Sequence, residues 1–553
     1  MTQATEIQDI YPLSYMQEGM LFHSLLHPDT KAYVEQISFT ISGNLCIDSF
    51  QKSLNMLISR YDIFRTIYIK EVPDLDGPQQ VVLSNRHVSV QTEDISGKTA
   101  AEQQLLINRH KQTDRHQGFD LQKGPLMRLT LFQTGENHYT CVWTHHHMMM
   151  DGWSLGIVLK DFFHIYYALR NNRPVRLEPP APYSTYITWL LRQKKDKTAA
   201  FWSRYLSGYG KAVSVPRTMR MQAEGFYTPG HLQFSLRPET VQKLSDTAQK
   251  LGVTLNALFT AMWGLLLQRY NTTDDAVFGT VISGRPSAID GIESMAGLFI
   301  NTVPVRVRSS EGMSFSSLAK RVQQDTLASE EHGYYPLYDI QNESGLNKDL
   351  VNHILVFENY PVQMQEAVNV WQETEDNALY LDHFSMAEET SYDLNVVIVP
   401  GKEFYIKFSY NAEVYGREDM LRVKGHLNEI IECVLSDSDQ SIANINIVPH
   451  EEEKQIHSFN DTKRLFPDRT VYKLFEEQAA KTPEQEALKF HESSWSYRQL
   501  DHRANQIAHA LAEKGARQNQ IAAVMLRRSK EAVAALLGIW KSGSAYMPLD
   551  PDY

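Results

Sequence analysis

The stretch Thr144-His145-His146-His147-Met148-Met149-Met150-Asp151-Gly152-Trp153-Ser154-Leu155-Gly156 gathers three imidazoles, a carboxylate and two glycines in one short segment. An alternating run enters it, with Tyr139, Cys141 and Trp143 on one side and Thr140, Val142 and Thr144 on the other, the period of a β-strand. A helical run leaves it: Leu155, Val158, Leu159, Phe162, Ile165, Tyr166 and Leu169 recur at spacings of three and four. The cluster is therefore expected where a strand turns into a helix, a place where side chains are held rigidly yet can face a cleft.

Working outward, the chain of 553 residues exceeds a single core and suggests about three or four structural units. An apolar content of 42% and a charged content of 22% belong to an ordinary globular protein. The net charge of −12 argues against nucleic acid or an anionic membrane as the main partner. Cys46, Cys141 and Cys433 lie far apart and form neither a disulfide framework nor a Cys-x-x-Cys metal site, which suits a reducing compartment. The N-terminal MTQATEIQDI lacks the basic and apolar regions of a signal peptide, and no apolar run reaches the roughly 18 residues that span a bilayer. The expectation is a cytoplasmic protein that engages no nucleic acid and no membrane.

The periodicities divide the chain. Residues 1–10 are polar and expected to be weakly ordered alone. Ile37, Phe39 and Ile41 alternate with Ser38, Thr40 and Ser42 as a half-buried strand ended by Gly43. Asp48 or Ser49 is expected to cap a helix with Phe50, Leu54, Leu57, Ile58 and Tyr61 on one face, and a strand follows to about Lys70. Residues 1 to about 170 thus read as one α/β unit, and the proline-rich 172–186 as a crossing segment. A second unit repeats the grammar. It has a strand at 231–236, a helix from Pro238 to about Leu251, an apolar helix at 254–270, and strands at 276–283, 301–307, 352–358, 393–399 and 404–410. Past about residue 448 come a charged linker or helix start at Glu451–Lys454, a helix at 471–480, a turn at 495–500, a helix to about Lys514 and a strand at 521–526.

Several chemistries compete for the histidine cluster. On a strand His145 and His147 would share one face and His146 the other. With Asp151 they could hold a metal, but the His-x-x-x-His spacing and a cysteine partner are missing, so no metal is expected. Gly152-Trp153-Ser154-Leu155-Gly156 satisfies the short G-x-S-x-G pattern of a hydrolase elbow, yet no oxyanion segment precedes it and no later Asp–His pair is anchored to it. Acyl transfer needs only one imidazole, which takes a proton from an attacking amine or hydroxyl and returns it to the leaving group. In that reading Asp151 pairs with an arginine and locks the loop. Gly152 lets a backbone N–H approach the reacting carbonyl.

His146-His147-Met148-Met149-Met150-Asp151-Gly152 matches the HHxxxDG signature of condensation domains of nonribosomal peptide synthetases, a family related in fold to chloramphenicol acetyltransferase. The resemblance runs in family order from residue 11 to about 440. Leu13–His23 resembles the first core motif, and Arg60–Tyr68 resembles RHExLRTxF. Tyr183–Trp189 resembles YxDYxxW with Thr185 in place of the usual aspartate, and Ser283–Pro286 and Gly297–Thr302 match later motifs. Phe459–Thr462, Trp495–Leu500 and Trp540–Asp550 resemble the linker and first two core motifs of an adenylation domain, whose phosphate-binding loop is not in the sequence.

The resemblance implies an α/β fold of two chloramphenicol acetyltransferase-like lobes in a V-shaped pseudo-dimer, followed by a partial adenylation domain. The implied layout is an N-terminal docking segment at 1–10, lobes at 11–175 and 176–448, a linker at 449–470 and a truncated adenylation domain at 471–553 that would not activate amino acids. The implied reaction joins an upstream peptidyl or aminoacyl thioester to the amine of a downstream aminoacyl thioester. Both ride on the 4'-phosphopantetheine arms of partner carrier proteins, and no cofactor is expected on this chain. His147 would be the general base, or the group that positions the amine and shuttles its proton. His146 and Asp151 would be structural, Arg285 would pair with Asp151, and Gly152 would line the channel. Trp153, Ser154 and Arg65 would support the channel, with Ser154 a first-turn helix residue rather than a nucleophile. The wording of MQEGMLFHSLL and GLFINTVP resembles the subgroup whose donor ends in a D-residue. A monomer is implied, with donor and acceptor carriers, an upstream synthetase subunit and the rest of the adenylation domain as partners. The same fold also serves epimerisation domains and non-catalytic recruitment domains. The former usually continue DGxS without this Trp153-Ser154 arrangement, and in the latter the histidine motif decays.

Overall fold

The computed structural model describes residues 6–26, 32–217, 227–358, 379–388, 390–401 and 404–552. It divides into a unit of residues 1–453 and a smaller unit of residues 454–553. Residues 1–5 of the expected docking segment lie outside the described residues.

The first half of the larger unit contributes β1 (Ile7–Pro12), β2 (Val34–Ser42), β3 (Thr66–Ile69), β4 (Gln79–Leu83), β5 (Val90–Asp94), β6 (Met127–Gly135) and β7 (His138–His146). The second half contributes β8 (Pro229–Ser235), β9 (Asp275–Ile282), β10 (Asn301–Arg308), β11 (Ile354–Phe357), β12 (Tyr380–Ala387), β13 (Leu394–Val399) and β14 (Tyr405–Asn411). They form a three-stranded sheet β1-β4-β3, a five-stranded sheet β12-β2-β7-β6-β5 and a six-stranded sheet β10-β9-β11-β13-β14-β8. Each large sheet has its own core. Phe50, Leu54, Phe162 and Tyr166 pack in the first, and Leu258, Met262, Phe278 and Phe408 in the second. The Ile47–Arg60 and Gly152–Arg170 helices meet edge to face through Phe50 and Phe162, with ring centroids 4.7 Å apart.

Four expectations for the larger unit need correction. Residues 7–10 are not loose, because β1 pairs antiparallel with β4. β2 is buried on both faces rather than half-buried: it lies between β12 and β7, and its polar Gln36 donates to the Lys111 carbonyl of the Ala100–Gln117 helix. The Ile47–Arg60 helix is preceded by Cys46 at the N-cap position, which places Asp48 and Ser49 inside its first turn. The first core does not stop near residue 170. It includes Tyr183, Tyr186, Met295 and Phe299, and β12 returns from the second half to join the first sheet. The helix start read at Glu451–Lys454 is present, within the His450–Phe459 helix.

The smaller unit has helices Val471–Lys481, Tyr497–Glu513 and Lys530–Lys541 around a core of Leu500, Ala504, Ala534 and Leu537. Trp495 and Ser496 end a strand instead of forming a turn, and the Ser496 hydroxyl with Gln499 caps the helix that follows. Among the described residues no single helix is long and apolar enough to cross a membrane.

Candidate active site

The histidine stretch sits at the end of β7, a central strand whose register is fixed by β2 and β6 on either side. Glu35 of β2 lies directly opposite His145. β7 ends at His146. The following turn is held by main-chain bonds from His147 N–H to the Tyr33 carbonyl (2.8 Å) and from Met149 N–H to the His146 carbonyl (3.1 Å). Met148, Met149 and Met150 are buried and anchor the turn in the first core. The Met148 carbonyl accepts from Tyr68 Oη (2.8 Å) and Gln17 Nε2 (3.0 Å), so the polar side chains behind the turn are also spent on fixing it.

The three imidazoles differ in environment. His146 Nδ1 accepts the Met148 N–H at 3.2 Å, which requires a neutral ring. Burial, followed by the neighbouring His147 and His145, pushes its pKa down to about 3. His145 is buried and places Nε2 2.9 Å from Glu35 Oε2. His147 Nδ1 faces two acceptors, the Met150 carbonyl at 3.0 Å and Glu35 Oε1 at 3.1 Å. Two acceptors at one nitrogen require that Nδ1 carry the hydrogen, which makes Nε2 the basic atom of the neutral ring. The side chain of His147 is 16% exposed against 1% for His145, so His147 is the ring that can meet a substrate. Burial opposes its charged form. Glu35, Glu388, the Met150 carbonyl and Asp151 together outweigh burial and hold its pKa above the ordinary value.

Asp151 is the N-cap of the Gly152–Arg170 helix, accepting the Ser154 N–H at 2.8 Å. Its other oxygen accepts the Phe299 N–H at 3.0 Å, and its own N–H donates to the Gly297 carbonyl at 3.2 Å. Arg285 Nη2 stands 3.6 Å from Asp151 Oδ1, and its guanidinium lies 4.1 Å over the Phe299 ring. Arg285 also donates to the Ile292 and Met295 carbonyls, so one buried cation ties together the turn that precedes Phe299. Gly284, just before it, has φ +60°, and a Cβ there would fall 1.8 Å from the Phe299 carbonyl oxygen.

The structure separates the remaining sequence candidates by role. Gly152 and Trp153 open the helix and are half-buried. Ser154 is fully buried. Its hydroxyl accepts from Arg285 Nη2 (2.9 Å) and the Gly297 N–H (3.1 Å), and lies 2.7 Å from the Gly297 carbonyl and 2.8 Å from Asp151 Oδ1. A hydroxyl so placed is a structural cross-link and meets no substrate. Arg65 lies elsewhere: it binds the Ile58 and Leu83 carbonyls, Gln8 Oε1 and Asp62, and so fastens β1 and β4 to the preceding helix. Among the described residues no three His, Cys, Asp or Glu side chains form a metal-binding group. Sequence reasoning missed Glu35. Its only signal was a charged residue on a strand whose neighbours are apolar, a position where a carboxylate needs a partner. A small cleft lined by Ser14, Tyr15, Tyr186, Phe299, Asn301 and Tyr334 opens where the first helix meets the turn that Asp151 holds.

One partly exposed imidazole on a turn held by main-chain bonds has the features of an acyl-transfer site that works by proton shuttling. The condensation domain family matches residues 7–457, and the AMP-binding enzyme family matches residues 475–553. The chain belongs to the condensation-domain family of nonribosomal peptide synthetases, enzymes of acyl transfer, and continues into the start of an AMP-binding domain. One of the plipastatin synthase polypeptides of Bacillus subtilis (strain 168) is 62% identical over 553 residues, covering 100% of this chain and 22% of that protein. Gramicidin S synthase 2 of Brevibacillus brevis is 39% identical over 549 residues, covering 99% of this chain and 12% of that protein. This chain therefore spans less than a quarter of either relative. A four-domain nonribosomal peptide synthetase bound to AMP and glycine superposes with a TM-score of 0.78 at 20% identity, over 100% of this chain and 42% of that one. The first condensation domain of the calcium-dependent antibiotic synthetase gives 0.65 at 17% identity, over 80% of this chain and 100% of that domain. These last two likenesses concern the fold.

Proposed function

We propose that this chain forms a peptide bond between an upstream peptidyl or aminoacyl thioester and the α-amine of a downstream aminoacyl thioester, both carried on 4'-phosphopantetheine arms of partner carrier proteins. The observation that carries this reading is His147, whose Nδ1–H is held by the Met150 carbonyl and Glu35 while Nε2 is left basic. As the amine attacks the thioester carbonyl, Nε2 takes its proton. As the C–S bond breaks, Nε2 returns that proton to the departing sulfur, so the ring ends as it began. Asp151 and Arg285 aim the turn and do not touch substrate. The wording of the first helix and of Gly297–Thr302 supports a donor that ends in a D-residue.

Reconstitution tests the reading. Donor and acceptor carrier proteins are loaded chemically, mixed with the protein, and followed by intact mass. Transfer is expected from a D-terminated donor in preference to its L-epimer. His147→Ala is expected to lower transfer by about 10²- to 10⁴-fold, the usual contribution of one acid–base group. Undiminished transfer by that variant would remove His147 from the reaction, and equal use of both epimers would remove the donor assignment.

A further inference from the structure

The carboxylate of Glu35 is 4% exposed and lies between two imidazoles, 2.9 Å from His145 Nε2 and 3.1 Å from His147 Nδ1. Its place is set by main chain on both sides. Glu35 is registered against His145 across β2 and β7, and two residues earlier the Tyr33 carbonyl accepts the His147 N–H. Tyr33 itself is held at φ +67°, a left-handed backbone rare for a bulky residue, and its hydroxyl donates to Ser391 Oγ at 3.2 Å. The segment 33–35 is thus a rigid cradle for His147.

The proton inventory of this cluster is restrictive. His145 Nδ1 is buried without a hydrogen-bond partner among the described residues, so His145 meets Glu35 through a single N–H at Nε2. His146 turns a lone pair to the Met148 N–H and stays neutral. His147, by contrast, has Nδ1–H directed at two acceptors and a partly exposed ring, so its other nitrogen has room for a second proton. The charged groups facing it are Glu35 from β2, Asp151 from its own turn and Glu388 just past β12. Asp151 is already matched by Arg285. Among the described residues of this cluster, Glu35 has no arginine or lysine beside it. Its counter-charges are the imidazoles alone.

We propose that Glu35 is a positioning residue of the transfer reaction: it fixes the Nδ1–H tautomer of His147 and stabilises the imidazolium formed when Nε2 takes the amine proton. This rests on the reading of His147 given above. Glu35 stays ionised throughout and neither gains nor loses a proton, the part an aspartate plays behind histidine in a Ser-His-Asp triad. The Met150 carbonyl alone would orient the ring. Only a carboxylate also offsets the charge that appears during transfer. Glu35→Gln keeps the shape but removes the charge, and its amide N–H would face one of the two imidazole N–H groups.

The test has two arms. In the first, ethoxyformylation of His147 by diethyl pyrocarbonate is followed against pH by peptide mass spectrometry, with exposed His87 as internal reference. The reagent acylates the neutral ring, so the midpoint reads the protonation of His147 without any substrate. Glu35→Gln is expected to lower that midpoint by about one to three pH units, the usual effect of removing one adjacent opposite charge. In the second arm, carrier-to-carrier transfer is measured against pH. Glu35→Gln is expected to lower kcat with little change in KM and to move the acid limb of the profile down, while Glu35→Asp recovers part of the rate. An unshifted midpoint, or a rate loss equal to the loss of folded protein, would overturn the role given to Glu35. Should Glu35→Gln not fold, a His147 midpoint at or below that of His87 in the unaltered protein would overturn it equally. A shifted midpoint combined with full transfer by His147→Ala would overturn the functional reading and leave the Glu35–His147 coupling standing.

Discussion

The carboxylate of Asp151 accepts the backbone N–H of Phe299 at 3.0 Å, although 148 residues separate the two in sequence. A single side chain therefore caps the helix behind the histidine turn and ties that turn to a segment of the second half. Arg285, 4% exposed and 3.6 Å away, is the cation that matches its charge. Asp151→Ala strips a buried guanidinium of its counter-charge and also removes an N-cap. The expected destabilisation is about 3–5 kcal/mol, the scale for breaking one side of a buried pair, read by urea unfolding of the larger unit. Asp151→Asn keeps an acceptor for one of the N–H groups and should lose less stability than the alanine variant, while still lowering transfer because the turn is no longer held by charge.

Stability should fall in mild acid. Burial depresses His146 to about 3, with His147 and His145 adding to the effect, and burial with the charge of Arg217 depresses His353 to about 3. In the unfolded chain both titrate near 6.5. Between those values the unfolded state holds protons that the native state refuses, so stability drops as pH falls from about 6.5 toward 3. Each histidine contributes at most about 1.4 kcal/mol per pH unit. His147 has the opposite sign. Its raised native value gives stabilisation that is complete below 6.5 and is lost as pH rises through that native value. Urea midpoints measured from pH 7 to 5 should decline, and His353→Phe, which removes one of the two buried bases, should flatten the slope. An unchanged slope in that variant would exclude His353 as a contributor.

Ser154 should behave as a cross-link. Serine-directed fluorophosphonate probes are expected to leave it unlabelled, because its hydroxyl is fully buried and already engaged by Arg285 and Gly297. Ser154→Ala leaves the Gly297 N–H and one arm of Arg285 without this acceptor, which should cost about 1–3 kcal/mol in unfolding experiments. Covalent labelling at Ser154 would instead restore the hydrolase reading of Gly152–Gly156.

The strand, turn and helix around the histidines were legible because local periodicity decides them: alternation up to Thr144 and three-to-four spacing from Leu155. The strands of the second half were legible for the same reason, as short apolar runs between turn residues. β12 was not. Tyr-Leu-Asp-His-Phe-Ser-Met-Ala has only its Leu381 fully buried, since it is an edge strand, and its partner β2 lies more than 300 residues earlier. Edge strands bury little and so leave little pattern. Asp151 and Arg285 could be named together from motifs, but the partners of Asp151 in the second half, Gly297 and Phe299, are reached through main-chain groups that any residue type supplies. Glu35 escaped for a related reason: its importance comes from the register of β2 on β7, and register is a long-range property.

Gly297 offers the most direct way to loosen the clamp without touching a charged group. A Cβ at this position would fall 2.2 Å from Tyr183 Cδ2 and 2.4 Å from Cε2, far inside contact distance. Tyr183 has nowhere to go. Its ring is fully buried against Phe299, with centroids 5.3 Å apart, and its hydroxyl donates to the Leu298 carbonyl at 2.6 Å. The main chain of Gly297 is equally committed, since its carbonyl accepts from Asp151 N–H and its N–H donates to Ser154 Oγ. Gly297→Ala must therefore push residues 297–299 away from the histidine turn and stretch the Asp151–Phe299 bond. Overpacking of this kind should cost about 1–3 kcal/mol. Transfer should fall more steeply than stability, because the displaced segment is the one that aims His147. Tyr183→Leu shortens the obstructing ring, so adding it to Gly297→Ala should cost less than the sum of the two single changes. A double-mutant cycle on urea unfolding measures that difference. Strict additivity would show that the alanine is accommodated elsewhere and that the Tyr183 ring is not what holds Gly297 in place.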